Sequence, residues 1–243
     1  MQLYTLTDIG LVRSSNQDAV DGGIIHDHNA MWAVLCDGMG GANGGNVASQ
    51  TAVEIAKDDI GFFDFYGGEY QSESFLKEIV YKANSTVYHK QLKNPELSGM
   101  GTTMELVFVY NKKAMITHVG DSRVYLIHNN EITQLTVDHS VVQELVDRGK
   151  LTPQQAMVHP HKNFITRAVG VHPYIDVDYI EAPFEEDDVI IMCSDGLSNY
   201  ITDDGLLGFA DKYKADDLTN KLIEHAKQLG GKDNITVAVL YAK

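Results

Sequence analysis

The stretch 102–110 is apolar on both of its alternating faces. In an extended chain Met104, Leu106, Phe108 and Tyr110 point one way, while Val107 and Val109, together with Glu105, point the other. A strand of this kind has to be covered twice, by a second sheet on one side and by helices on the other. Further strands are predicted at 2–9, 23–27, 30–37, 114–120, 122–128, 131–136, 175–181, 188–194 and 234–241. The turns Asn111-Lys112-Lys113 and Asn129-Asn130 join neighbouring runs so closely that the sheets must be largely antiparallel.

Helical spacing supplies the covering layers. Ala48, Ala52, Ile55 and Ala56 form one stripe in 46–61, and Phe75, Ile79, Ala83 and Val87 form another in 73–92. Leu218, Leu222, Ala226 and Leu229 form a third in 216–229, which stops at Gly230-Gly231. Residues 139–170 carry two brief helical stretches, Val141 to Arg148 and Pro153 to Met157, among loop and three histidines. This segment interrupts the strand series and is predicted to be an excursion from the sandwich. No repeat or Pro/Ser-rich linker divides the chain, so 1–243 is expected to be one domain.

Charge narrows the function. Against 19 Lys and Arg stand 34 Asp and Glu, a net charge of −15, and no basic run is longer than Lys112-Lys113. Such a chain repels phosphate backbones and anionic headgroups, which argues against nucleic acid and membrane surfaces as partners. The longest unbroken apolar run, Ala30 to Cys36, is far too short to span a bilayer. The N-terminus has no basic region followed by an apolar one, so a cytoplasmic location is expected. Cys36 and Cys193 have no metal-binding spacing and read as buried free thiols.

Aspartates recur beside strand ends: Asp18, Asp37-Gly38, Gly120-Asp121, Asp195-Gly196 and Asp233-Asn234. One such residue is an ordinary turn former. Asp37 and Asp195, however, follow apolar strands directly, where an unpaired anion is costly. A cation should compensate them, and an all-oxygen donor set suits Mg²⁺ or Mn²⁺ rather than Zn²⁺. The Gly38 to Gly45 run lacks the Lys-Ser/Thr of a P-loop and reads as backbone freedom beside a metal. Phe62, Phe63, Phe65, Tyr66 and Tyr70 read as the packed or half-exposed end of a helix hairpin.

Eight motifs run in order along the chain. They are Arg13…Asn16-Gln17-Asp18, Asp37-Gly38-Met39-Gly40-Gly41, Gly99-Met100-Gly101-Thr102-Thr103, Gly120-Asp121-Ser122-Arg123, Asp138-His139-Ser140, Thr166-Arg167-Ala168-Val169-Gly170, Ser194-Asp195-Gly196-Leu197 and Asp233-Asn234-Ile235-Thr236. Together they resemble the metal-dependent protein serine/threonine phosphatase (PPM, type 2C) family in its short bacterial form. The resemblance implies an α+β fold, a four-layer α-β-β-α sandwich of two antiparallel sheets flanked by helix pairs, with a small flap near 139–170. It implies Mn²⁺ or Mg²⁺, two ions in a core site and a third in bacterial relatives. Asp37 would bridge the two core ions, Asp195 and Asp233 would complete the first, and the Gly38 carbonyl would bind the second. Asp18 would act through a metal-bound water, and Asp121 would share the third ion with Asp195. A hydroxide bridging the metals would attack phosphoserine or phosphothreonine while Arg13 grips the phosphate oxygens. Phosphoproteins, an opposing Ser/Thr kinase and a monomeric state follow from the same resemblance. A phosphatase of small metabolites on the same site stays open, because 139–170 carries no readable substrate code.

The chain departs from the family at one position. Many bacterial members carry His after Asp-Gly-Met-Gly-Gly, proposed to protonate the leaving alkoxide, where this chain has Ala42. The candidates for that acid are a water on the Asp121 metal, His139 and His159, and the water is favoured because it needs no side chain at 42.

Overall fold

Two antiparallel sheets stack face to face in the computed structural model, which describes residues 1–66 and 71–242 apart from the side chains of Ala42 and Asn43. Tyr70 and the Ala42 side chain, both singled out above, lie outside the described residues. In chain order the strands are β1 (Gln2–Asp8), β2 (Asp18–Ile25), β3 (Ala30–Met39), β4 (Gly101–Thr102), β5 (Met104–Tyr110), β6 (Lys113–Val119), β7 (Arg123–His128), β8 (Glu131–Gln134), β9 (Asp178–Pro183), β10 (Val189–Cys193) and β11 (Ile235–Tyr241). The helices are α1 (Gly41–Ile60), α2 (Ser72–Lys93), α3 (Val141–Asp147), α4 (Pro153–Met157), α5 (Asp195–Ser198), α6 (Asp203–Lys212) and α7 (Ala215–Gln228). One sheet has the order β1-β11-β10-β7-β8; the other has β2-β3-β5-β6-β9, with β4 beside β3.

The two-faced strand behaves as its pattern requires. Val107 and Val109 of β5 join Met31, Leu35, Ile116, Ile190, Met192 and Leu240 in the layer between the sheets. On its other face Met104, Leu106 and Phe108 pack under α1 and α2 against Ala48, Ala52, Leu76, Ile79 and Ala83. The second outer layer sets Leu206, Leu218, Leu222 and Ala226 over Tyr125, Ile191, Cys193 and Val237. Truncating a fully buried side chain such as Leu106 to Ala would cost about 2–5 kcal/mol. Cys36 and Cys193 are free and buried in the two opposite outer layers, so the thickness of both sheets separates the thiols.

Three departures from the sequence pattern have physical causes. Strand β2 begins at Asp18 rather than near 23, because pairing with β3 along its whole length overrides the poor strand propensity of Asp and Gly. Its Gly22 is required by close approach, since a Cβ there would come within 2.6 Å of both Leu3 Cδ2 and the Trp32 carbonyl oxygen. The run at 102–110 is broken at Thr103, whose N–H donates to the Asp37 carbonyl at 2.9 Å instead of continuing a ladder. Helix α6 had no predicted counterpart. Gly205 and Gly208 weaken its local preference, but Thr202 caps it by accepting from Gly205 N at 3.2 Å, and Leu206 and Ala210 anchor it in the core. The excursion holds α3 and α4 where the helical spacing put them, the latter opened by a Thr152/Gln155 capping box. In the aromatic stretch Phe63 is buried against Phe108 at 4.6 Å, while Phe62 and Tyr66 are exposed. Among the described residues no helix is long and apolar enough to cross a membrane.

Candidate active site

Five aspartates from distant parts of the chain converge at one end of the sandwich. Asp18 opens β2 directly opposite Asp37, near the end of β3. Asp121 follows β6 in a turn made by Gly120, Asp195 starts α5 just after β10, and Asp233 sits ahead of β11. A cleft of ≈ 440 Å³ is lined by Arg13, Asp37, Gly38, Asp121, Asp195 and Asp233, together with Asn163 and Ile165 from the excursion. Asp18 does not line it; it lies buried beneath, its Oδ2 accepting from Thr236 Oγ1 at 2.6 Å.

The backbone around Asp37 is fixed from several sides. Its N–H donates to Thr103 Oγ1 at 2.9 Å, and its carbonyl accepts from Thr103 N and Thr102 Oγ1, both at 2.9 Å. Gly38 can only be glycine, because a Cβ would drive into the Gly45 carbonyl oxygen and lie 2.5 Å from that of Gln17. Asn234 ties the Arg13 loop down. Its Oδ1 accepts from Gln17 N at 2.8 Å, and its Nδ2 donates to the carbonyls of Ile9 and Ser15 at 3.0 Å. Arg13 Nη2 then reaches Asp233 Oδ2 at 2.6 Å. None of Thr103, Asn199, Asn234 or Thr236 was singled out from the sequence as a site residue. Thr103, Asn234 and Thr236 lie within motifs quoted above, which was their only signal, and Asn199 had none.

The cleft is strongly anionic. Enclosure by protein, reinforced by the charges of Asp18, Asp195, Asp121 and Asp233, pushes the Asp37 carboxyl well above the usual range. Burial does the same to Asp121, with Asp195 and Asp138 adding to it. Asp18 and Asp195 rise to about 6, in both cases mainly through burial. Among the described residues no group of three or more His, Cys, Asp or Glu side chains is set to hold a metal ion by itself. Protein donors tether the carboxylates instead: Thr236 holds Asp18, Asn199 holds Asp195 at 3.2 Å and Arg13 holds Asp233.

Neither histidine considered as a leaving-group acid lines the cleft. His139 is buried with both ring nitrogens engaged, Nδ1 accepting from Gly120 N at 3.0 Å and Nε2 facing Asp178 Oδ2 at 3.1 Å. His159 Nδ1 accepts from His161 N at 3.1 Å. The excursion instead approaches the site through Lys162, whose Nζ donates to Asn199 Oδ1 at 2.6 Å.

The same arrangement of layers occurs in known proteins. A serine/threonine phosphatase stp of Listeria welshimeri is 34% identical over 236 residues, covering 96% of this chain and 93% of its own. Stp1 from Staphylococcus aureus, a serine/threonine phosphatase, superposes with a TM-score of 0.92 at 32% identity over 100% of this chain and 95% of that one. The catalytic domain of the serine/threonine protein phosphatase PstP, solved with two manganese ions, gives a TM-score of 0.86 at 33% identity, covering 98% of this chain and 96% of its own. The sequence profile described as protein phosphatase 2C matches residues 12–237, a span that takes in every cleft residue from Arg13 to Asp233. The whole anionic cleft therefore falls within that match, and the chain belongs to the protein phosphatase 2C family.

Proposed function

We propose that this chain is a protein serine/threonine phosphatase that hydrolyses phosphoserine and phosphothreonine with Mn²⁺ or Mg²⁺ held in the Asp37 cleft. The observation that carries the reading is the excess of negative charge there. Asp37, Asp121, Asp195 and Asp233 line one cleft above Asp18, and Arg13 is the cation on its lining. The donor set fits hard divalent ions, which bind oxygen and keep several waters, so that one or two carboxylates per ion suffice. Solved PstP with two manganese ions and the shared fold support the same conclusion.

In this reading Asp37, Asp195, Asp233 and the Gly38 carbonyl would hold two ions, Asp18 would contribute through a water, and Asp121 with Asp195 would hold a third, weaker one. Bound there, the ions would lower the pKa of a coordinated water and offset the charge that develops on the phosphoryl oxygens. Thr102 and Thr103 hold the Asp37 main chain, so its carboxylate is placed for the ions without reorganisation. Arg13, half-exposed at the rim, offers a planar fork that two phosphate oxygens can accept from at once. Asn234 limits the motion of the loop that carries it.

We further propose that 1–243 acts as one catalytic domain, as a monomer, in the cytoplasm opposite a Ser/Thr kinase. Two buried free thiols agree with a reducing compartment. The test is a panel of phosphoserine and phosphothreonine peptides against sugar and nucleotide phosphates, with Mn²⁺ and with EDTA. Mn²⁺-dependent turnover is expected to favour the peptides in kcat/KM. Preference for the small phosphates would replace protein by metabolite as substrate.

A further inference from the structure

A buried polar cluster lies behind the cleft and is used by none of the roles above. His118, fully buried on β6, faces Glu105 across the strand pair, Nδ1 to Oε1 at 3.0 Å, and its Nε2 donates to the Val137 carbonyl at 2.9 Å. His139 stacks on it with ring centroids 4.4 Å apart. The segment preceding His139 is laced to β7, the strand that follows Asp121. Arg123 donates to both Asp138 carboxylate oxygens, and Thr136 Oγ1 accepts from Val124 N.

At the centre of this lacing His139 grips one residue twice. Its N–H donates to the Gly120 carbonyl at 2.7 Å, and its Nδ1 accepts from the Gly120 N–H at 3.0 Å. Gly120 has φ of +124° and directly precedes Asp121, and a Cβ on it would lie 2.5 Å from Thr103 Cβ. The residue that aims Asp121 is thus both strained for any other side chain and held at both its N–H and its carbonyl by one histidine. The same residue closes the excursion, because its carbonyl accepts from Thr166 N at 2.7 Å.

The grip dictates a tautomer. A backbone N–H can only donate, so Nδ1 must be unprotonated and the ring proton must sit on Nε2, where Asp178 Oδ2 accepts it. Arg167 holds Asp178 in turn, Nη1 to Oδ1 at 2.5 Å. We propose that His139 is a positioning residue for Asp121, with Asp178 fixing the imidazole tautomer that locks Gly120. The inference rests on the phosphatase reading for its catalytic consequence and on geometry alone for the lock.

Imidazole ¹⁵N spectra of the metal-free protein and peptide kinetics with Mn²⁺ test it together. In the wild-type protein Nδ1 of His139 should resonate as an unprotonated acceptor and Nε2 as a protonated nitrogen. Asp178→Asn, at a half-exposed position, should exchange the tautomer, speed hydrogen exchange at the Gly120 amide and lower kcat on a phosphothreonine peptide about 10- to 100-fold, with little change in KM. His139→Gln should fall as far, whereas His139→Asn, whose Oδ1 can replace Nδ1 as acceptor, should stay within about threefold of wild type. A wild-type Nδ1–H tautomer overturns the proposal, as does wild-type kcat in His139→Gln or an Asn variant as poor as the Gln one. Because the tautomer and the amide exchange are read without substrate, a protein that showed the lock but no peptide turnover would fail the phosphatase reading and not this one.

Discussion

Asp18 and Asp37 stand directly opposite each other where β2 pairs with β3, two carboxylates at a position where like charges repel. Beside them Asp233, Asp195 and Asp121 add negative charge, and burial raises the affinity of both carboxylates for a proton. An arrangement that opposes folding at neutral pH in the absence of a cation is best explained by the cation it holds in use.

Metal binding and stability should therefore move together. Removing one charge by Asp37→Asn should raise the melting temperature of the EDTA-treated protein at neutral pH. The same variant should lose about several hundredfold or more in kcat with Mn²⁺ present. Wild-type protein should gain stability on adding Mn²⁺, by about 2.7 kcal/mol at a hundredfold excess over Kd, and lose all turnover in chelator. Calorimetry with and without EDTA checks both halves, and full activity in chelator would sink the assignment.

Arg13 should act on substrate more than on folding. Its pair with Asp233 is half-exposed and worth little stability. A hydrogen bond to a charged phosphate oxygen is worth about 1.5–3 kcal/mol, so Arg13→Ala should lower kcat/KM about 10- to 150-fold. Arg13→Lys should restore only part of it, because an ammonium cannot present a planar fork. An unaltered kcat/KM in Arg13→Ala would leave the residue as an ordinary surface cation.

The leaving group divides the substrates. Neither His139 nor His159 lines the cleft, which supports the proposal that a water near Asp121 would protonate a departing serine alkoxide. Asp121→Ala should then slow a phosphoserine peptide far more than an aryl phosphate, whose phenolate leaves without a proton. Ala42→His should leave peptide hydrolysis within about fivefold, well short of the ~10²–10⁴ that a newly supplied acid contributes. Strong acceleration of the peptide alone by Ala42→His would mean that the wild-type site lacks an effective acid.

Away from the cleft, His128 makes stability depend on pH. Its Nδ1 meets Asp188 Oδ1 at 2.7 Å, and this bond, followed by the Asp188 charge and those of Glu185 and Glu131, raises its pKa above the usual value. A raised folded pKa stabilises fully below the unfolded value of about 6.5 and is lost as pH climbs through the folded one. The melting temperature of His128→Gln should accordingly fall furthest below wild type near pH ~5.5, and the gap should narrow by pH ~8.5. Melts of both proteins at the two values measure this directly, and an equal gap at both would leave only a neutral hydrogen bond.

The sequence by itself determined the layers and the chemistry of the cleft. The two apolar faces of β5, the helical stripes over it, and Asp37 and Asp195 at the ends of buried strands were legible because strand and helix periods are local properties. Tertiary structure decided the rest. Asp18 became the first residue of a strand only because β3 lies beside it, and α6 formed across two glycines because the core receives its leucines. His139, a possible proton donor by residue type, is instead locked behind Asp121 by Gly120 and Asp178. Arg13 meets Asp233 across 220 residues of chain, and Thr236 meets Asp18 across 218. Partners so far apart leave no periodic trace in the sequence, since burial and register assign them only once the two sheets have closed on each other.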